Sequence, residues 1–105
     1  MSEIYSNVVK SFAYLSTILE LSKGKKITGY DIVAHISNFG LTVSAGTVYH
    51  QLQLLEKAGI IKGTRLRTHA NKTVYEMTEK GKQVFEEFKK KWRKPLEYAY
   101  KNLNT

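Results

Sequence analysis

The stretch Ser44–Ile61, SAGTVYHQLQLLEKAGII, running on into Lys62–Met77, KGTRLRTHANKTVYEM, decides the fold. Ser44 is a strong N-cap residue type, and Val48, Leu52 and Leu55 recur at helical spacing as one buried stripe. At about 100° per residue, the face opposite that stripe holds Gly46, His50, Gln53 and Lys57. None of these is acidic, and the His50 and Gln53 side chains both donate and accept hydrogen bonds. Gly59 stands where the helix must end in a left-handed residue. Ile60 and Ile61 then open a strand, and Thr73–Met77 supplies its partner after a His69-Ala70-Asn71-Lys72 tip whose turn lies near Ala70 and Asn71. Between Ile32 and Tyr75 the only acidic residue is Glu56, whereas Lys57, Lys62, Arg65, Arg67 and Lys72 are all cationic. A helix with an acid-free polar face beside a basic hairpin suits a DNA groove flanked by phosphates.

The rest of the chain is read outward from that stretch. Its 105 residues give room for one domain with an adequate core. Hydrophobic content of 42% and charged content of 25% are those of an ordinary folded protein, so neither disorder nor a membrane protein is expected. A formal charge of +8 favours a polyanionic partner, but the excess is spread over the hairpin and over Lys89–Lys94, so it does not locate a site by itself. There are no cysteines, which excludes disulfides, thiolate metal sites and cysteine nucleophiles. Met1–Lys10 is polar and mixed, unlike a signal peptide, and no apolar run is long enough to span a bilayer. A cytoplasmic location is expected.

A first helix is expected over Ile4–Leu21, where Tyr5, Val8, Phe12, Leu15 and Leu19 share one face that Ile4, Ile18 and Leu21 widen. That is more apolar surface than a thin core needs. Ser22–Lys26 breaks the pattern, and Ile27 makes at most a very short strand. Thr28 and Asp31 have capping-box spacing, and Ile32, Ile36 and Phe39 follow at i, i+4 and i+7. Asn38-Phe39-Gly40 ends that helix and Leu41-Thr42-Val43 leads straight to Ser44, the arrangement of a helix-turn-helix. Thr78 caps a long fourth helix. Val84, Phe85, Phe88 and Trp92 line one side of it, and Leu96, Ala99 and Leu103 continue near that side with Tyr98 and Tyr100 beside them. Pro95 is expected to kink or interrupt it.

With these residues in view, the sequence resembles the PadR-like winged-helix transcription regulators. Gly29-Tyr30-Asp31-Ile32 is similar to the Gly-Tyr-acidic-Ile start of their second helix, and Ser44-Ala45-Gly46-Thr47-Val48-Tyr49 to the Ser-Pro-Gly-Thr-Leu-Tyr start of their recognition helix. Leu52, Leu55-Glu56-Lys57 and Gly59-Ile60-Ile61 are similar to its close, and Val74 to Gly81 to the second wing strand running into a Leu-Thr-Glu-Lys-Gly turn. The resemblance covers about Leu15 to Phe88. Thr28 stands where the family often has His, Ala45 where it has Pro, and His50 where Pro commonly follows the Tyr. His50 lies on the outer face, so a relative's base preference does not transfer. The resemblance implies a dimeric repressor or activator whose first and last helices form the dimer interface. Some family members respond to small aromatic molecules; no residue here indicates an effector.

The expected fold is therefore mainly α with a small β-hairpin (α+β), a winged helix-turn-helix with additional N- and C-terminal dimerisation helices. Residues 1–105 form one domain, with the dimerisation helices at about 1–22 and 82–105, the helix-turn-helix at 28–58 and the wing at 60–77. The expected function is a sequence-specific double-stranded DNA-binding transcription regulator, a repressor working as a homodimer on an inverted-repeat operator. The DNA-binding residues would be Ser44, Gly46, Thr47, Tyr49, His50, Gln53, Lys57, Lys62, Arg65, Arg67, His69 and Lys72. Strand alternation would place Arg65 and Arg67 on one face and Leu66 on the other. The dimer interface would hold Tyr5, Val8, Phe12, Leu15, Leu19, Phe88, Trp92, Leu96, Ala99 and Leu103.

Plainer readings compete with each of these. The Ser44–Ala58 helix would also serve as an ordinary surface helix, and Tyr49 either reaches a phosphate or packs half-buried. Aromatics at helical spacing are read as interface rather than ligand pocket, and the Lys89–Lys94 run as a solvated face. The competing function is a winged helix used for protein–protein assembly. His35, His50 and His69 are scattered, with no carboxylate pair, phosphate-binding glycine loop or Ser-His-Asp arrangement, so no catalysis, metal or cofactor is expected.

Overall fold

Each helix boundary is written into a short polar or glycine signal. In the computed structural model, which describes residues 2–67 and 72–105, the order is α1 (Ser2–Ser22), α2 (Gly29–Ser37), α3 (Ala45–Lys57), β1 (Ile61–Leu66), β2 (Lys72–Met77) and α4 (Glu79–Leu103). The capping box of α2 is complete: Thr28 Oγ1 accepts from the Asp31 N–H at 3.1 Å and the Thr28 N–H donates to Asp31 Oδ2 at 2.8 Å. Ser44 Oγ accepts from the Thr47 N–H at 3.1 Å and starts α3. Gly59, at φ +78°, ends it. The Gly59 N–H bonds to Glu56 O and the Ile60 N–H to Leu55 O, both at 3.0 Å, which is the Schellman pattern.

β1 and β2 pair antiparallel from Ile61 opposite Met77 to Leu66 opposite Lys72. Ile27 contributes the expected very short strand as a single bridge, its N–H donating to Tyr75 O at 3.0 Å and its carbonyl accepting from the Tyr75 N–H at 2.7 Å. Every element before α4 sends side chains into one core: Ala13 and Leu21 from α1, Ile32 and Ile36 from α2, Val48, Leu52 and Leu55 from α3, and Ile61 and Tyr75 from the hairpin. Around the hairpin the architecture is the mainly helical winged helix-turn-helix expected from the sequence.

The buried face of α1 is Val9, Ala13, Ser16, Thr17 and Leu21, which leaves Tyr5, Val8 and Leu19 of its bulky stripe exposed. Small residues let α1 lie close on the core, and Thr17 satisfies its hydroxyl by donating to Ala13 O at 2.7 Å. Three details elsewhere differ from expectation. Phe39 lies beyond the end of α2 and is 58% exposed, its ring edge-on to Phe12 and His35 at 5.3 Å each. Pro95 does not interrupt α4, which runs from Glu79 to Leu103. The Lys91 carbonyl that loses its helical donor there belongs to an exposed residue and is open to water. Finally, β1 ends at Leu66, so Arg67 lies outside the ladder and strand alternation orients only Arg65.

Candidate nucleic-acid interface

The pattern of α3 separates its two faces cleanly. Val48, Gln51, Leu52 and Leu55 are buried, while Gly46, His50, Gln53 and Lys57 are exposed together on the outside. At the start of the helix the Ser44 hydroxyl donates to Thr47 Oγ1 at 2.9 Å, so the two side chains form one capped polar corner. A methyl group on Gly46 would meet nothing closer than Ser44 Oγ at 4.0 Å, so the first turn is open to a bulky group. The first-turn N–H groups have no intrahelical acceptor and the helix dipole is positive there, which suits an anion.

Tyr49 does two things. It is 45% exposed, and its ring lies across the start of α2, where a Cβ on Gly29 would stand 2.6 Å from its Cε1 and 2.7 Å from its Cζ. Gly29 is thus needed for close approach of the Tyr49 ring, not for backbone conformation.

Glu56, the lone acid of the cationic stretch, is structural: its Oε2 accepts from the Gly63 N–H at 3.0 Å and ties α3 to β1. A Cβ on Gly63 would itself stand 3.0 Å from Glu56 Oε2, so the hairpin face that carries this position looks toward α3. Ile61, Gly63 and Arg65 alternate onto it, so Arg65 lies on the α3 side. Lys62, Thr64 and Leu66 lie on the other face, with Lys72 opposite Leu66. Lys62 pairs with Glu76 at 3.6 Å there. The structure therefore leaves Ser44, Gly46, His50, Gln53 and Lys57 exposed along α3 with Thr47 half-buried beside them, puts Arg65 on the hairpin face that looks toward α3, and sets Lys62 and Lys72 on the far face of the wing. His69 and the Ala70–Asn71 turn lie outside the described residues. Tyr75 underlies the hairpin, and burial, followed by the nearby Glu56 and Tyr49, raises its hydroxyl above the usual tyrosine range.

Sequence reasoning missed three residues that shape this surface: Gly29, Glu56 and Gln51. Gln51 is buried on α3, and its Nε2 donates to Lys10 O of α1 at 2.9 Å. Its Oε1 has no partner among the described residues. A polar residue in line with the apolar stripe of α3 was the signal available for it.

A second surface lies on α1 and α4. Phe85, Phe88 and Trp92 stack along α4, with centroids 6.1 and 5.8 Å apart. Leu19, Phe88, Trp92, Leu96 and Tyr100 line an apolar groove of about 400 Å³ between α1 and α4. Of the expected interface residues, Leu19, Phe88, Trp92 and Leu96 meet here. Phe12 packs partly against the core, and Leu103 stands at the far end of α4, 84% exposed. Within the Lys89–Lys94 run, Lys89 and Lys90 pair with Glu86 and Glu87 one turn away.

The model of the PadR-like family of transcriptional regulators matches residues 18–87, from the second half of α1 to the first turns of α4. The chain belongs to this family. PadR-like proteins are DNA-binding transcription regulators, not enzymes. Among solved structures, the chain is similar to a PadR family transcriptional regulator from Eggerthella lenta, with TM-score 0.71 and 23% identity over 99% of this chain and 96% of that one. A PadR-like transcription factor from Bacteroides fragilis gives TM-score 0.74 and 21% identity over 93% and 96%. A PadR family regulator from Clostridium difficile gives 0.70 and 23% over 88% and 98%. At these identities the likeness is one of fold. No curated protein matches the chain at a significant level. No helix among the described residues is long and apolar enough to cross a membrane, and no group of three or more metal-ligating side chains occurs among them.

Proposed function

We propose that this PadR-like chain is a sequence-specific double-stranded DNA-binding repressor, acting as a homodimer on an inverted-repeat operator from within the cytoplasm. The observation that carries the reading is the acid-free outer face of α3, with His50 and Gln53 exposed between the open first turn at Gly46 and Lys57, and Arg65 on the wing face that looks toward α3. His50 and Gln53 suit base edges, because each can donate and accept. Ser44, Thr47 and the first-turn N–H groups suit a phosphate. Tyr49, Arg65, Arg67 and His69 supply position and affinity rather than sequence reading, with Lys62 and Lys72 at the rim.

Self-association would cover the α1–α4 groove, where Leu19, Trp92 and Leu96 are otherwise exposed to water. A two-fold dimer presents two copies of α3, and its operator must then be an inverted repeat. A protein seated across such a site blocks what else would bind there, hence repression. The test is selection of bound sequences from a random duplex pool with purified protein. Enrichment of an inverted repeat supports the reading. Binding that does not weaken with salt, or no enrichment, favours the protein-assembly alternative, because DNA contacts release counterions.

A further inference from the structure

The face of α1 that buries Val9, Ala13, Thr17 and Leu21 also carries Ser6 and Lys10, which are exposed near its N-terminal end. This end of α1 lies beside the start of α3: Ser6, Val9 and Lys10 line one cleft of about 230 Å³ together with Val43, Ser44 and Thr47.

Lys10 is exposed and forms no ion pair among the described residues. Glu3 is the acid closest along this end of α1, sharing a neighbouring hollow with Ser6, Asn7 and Lys10 without pairing to it. The place of Lys10 relative to α3 is fixed by the Gln51 Nε2–H donated to its carbonyl oxygen at 2.9 Å. Gln51 holds that tether with its own Oε1 buried and unpartnered, a cost in stability that a leucine there would not carry. Beside the cleft, the first turn of α3 is open at Gly46.

We propose that Lys10, with the Ser6 hydroxyl beside it, is a DNA backbone anchor that holds a phosphate adjacent to the one received by the N-terminus of α3. α1 then touches DNA at one end, as well as offering Leu15 and Leu19 for self-association. This inference rests on the DNA reading above. A lysine on a flexible stem contacts a phosphate as a point charge, so it adds affinity without reading sequence.

The test is a salt titration of binding for wild-type protein, Lys10→Gln and Lys10→Arg, on a selected operator and on a scrambled duplex. Lys10→Gln is expected to flatten the dependence of log K on log salt by about 0.9 per bound protomer. It should weaken both duplexes by the same factor, with an unchanged melting temperature, and Lys10→Arg should keep the wild-type slope. Wild-type slopes for Lys10→Gln on both duplexes, or a loss confined to the operator, would overturn the anchor while leaving the DNA reading intact. Wild-type protein without salt-dependent binding would remove both.

Discussion

Gly29 has no left-handed backbone to explain it; its reason is the Tyr49 ring, from which a Cβ there would stand only 2.6 Å. Gly29→Ala is therefore expected to destabilise by about 1–3 kcal/mol, the usual range for an added methyl in a packed site. The clash is mutual, so the loss should shrink in a Tyr49→Ala background. A double-mutant cycle by urea unfolding measures the coupling, and strict additivity would exclude the contact. Gln51 makes the opposite case. Gln51→Leu removes one made hydrogen bond and one orphaned oxygen together, so stability should hold or rise, whereas Gln51→Ala leaves a cavity and should cost stability. On the reading face, Gln53→Ala should relax preference at one base position by about 1–3 kcal/mol while leaving non-specific affinity nearly unchanged. Binding to operator point variants reads this, and an unaltered profile for both Gln53→Ala and His50→Ala would move base reading elsewhere. The outer face of α3 was legible in the sequence because exposure follows directly from helical period. The roles of Gly29, Gln51 and Glu56 were not, because each depends on a partner 20, 41 or 7 positions away that periodicity does not reveal.

Among the elements, α3 is held at its middle and at its C-terminal end by the helices that carry the apolar surface. Gln51 ties it to α1, and its C-terminal end is knotted to the start of α4. Thr78 Oγ1 donates to Gly59 O at 2.6 Å and accepts from the Gly81 N–H at 3.0 Å, and Lys80 Nζ donates to Ala58 O at 2.8 Å. Gly81 packs so closely on the Ile60 carbonyl that a Cβ there has no room. Thr78→Ala should cost about 0.5–2 kcal/mol as a lost cap, seen as a lower urea midpoint at constant m. Capping residues, hairpin and element order were all readable, since they depend on local chemistry. The buried face of α1 was harder to read, because most of its core residues are small rather than bulky. On α1 the core takes Ala13, Ser16 and Thr17, and the bulky stripe is left for another surface. The interruption expected at Pro95 fails because an exposed helix loses little when one carbonyl turns to water. In the wing, Arg65 stands on the α3 side and Lys62 on the other, paired with Glu76. Arg65→Ala should consequently flatten the salt dependence of DNA binding more than Lys62→Ala does, and equal effects would mean that both faces of the wing meet DNA.

At the scale of the whole molecule, the principal extents of 50 × 32 × 20 Å describe a core with a long arm. A 25-residue α4 is about 37 Å long at 1.5 Å per residue, yet Gly81 is its only buried residue. Phe85, Phe88, Trp92, Leu96, Ala99 and Leu103 recur at spacings of 3 and 4, which keeps them on one side of that arm. Trp92 at 48% and Leu96 at 42% exposure are costly to leave in water, and a second copy of the same stripe is self-complementary across a two-fold axis. The protein is therefore expected to sediment as a dimer at micromolar concentration. Leu96→Asp, which would set two carboxylates against each other near the axis, should shift it to monomer without lowering its helical content. The consequence for DNA is separable from folding. Each monomer keeps its own α3 and wing, so Leu96→Asp should still bind single half-sites with a shallower salt dependence. It should lose the discrimination between an inverted repeat with half-sites about 34 Å apart, one helical turn, and the same half-sites moved by half a turn. A monomeric wild-type mass would exclude self-association through this arm. Unchanged spacing discrimination in a monomeric Leu96→Asp protein would show that symmetry comes from the operator alone, with each copy reading independently.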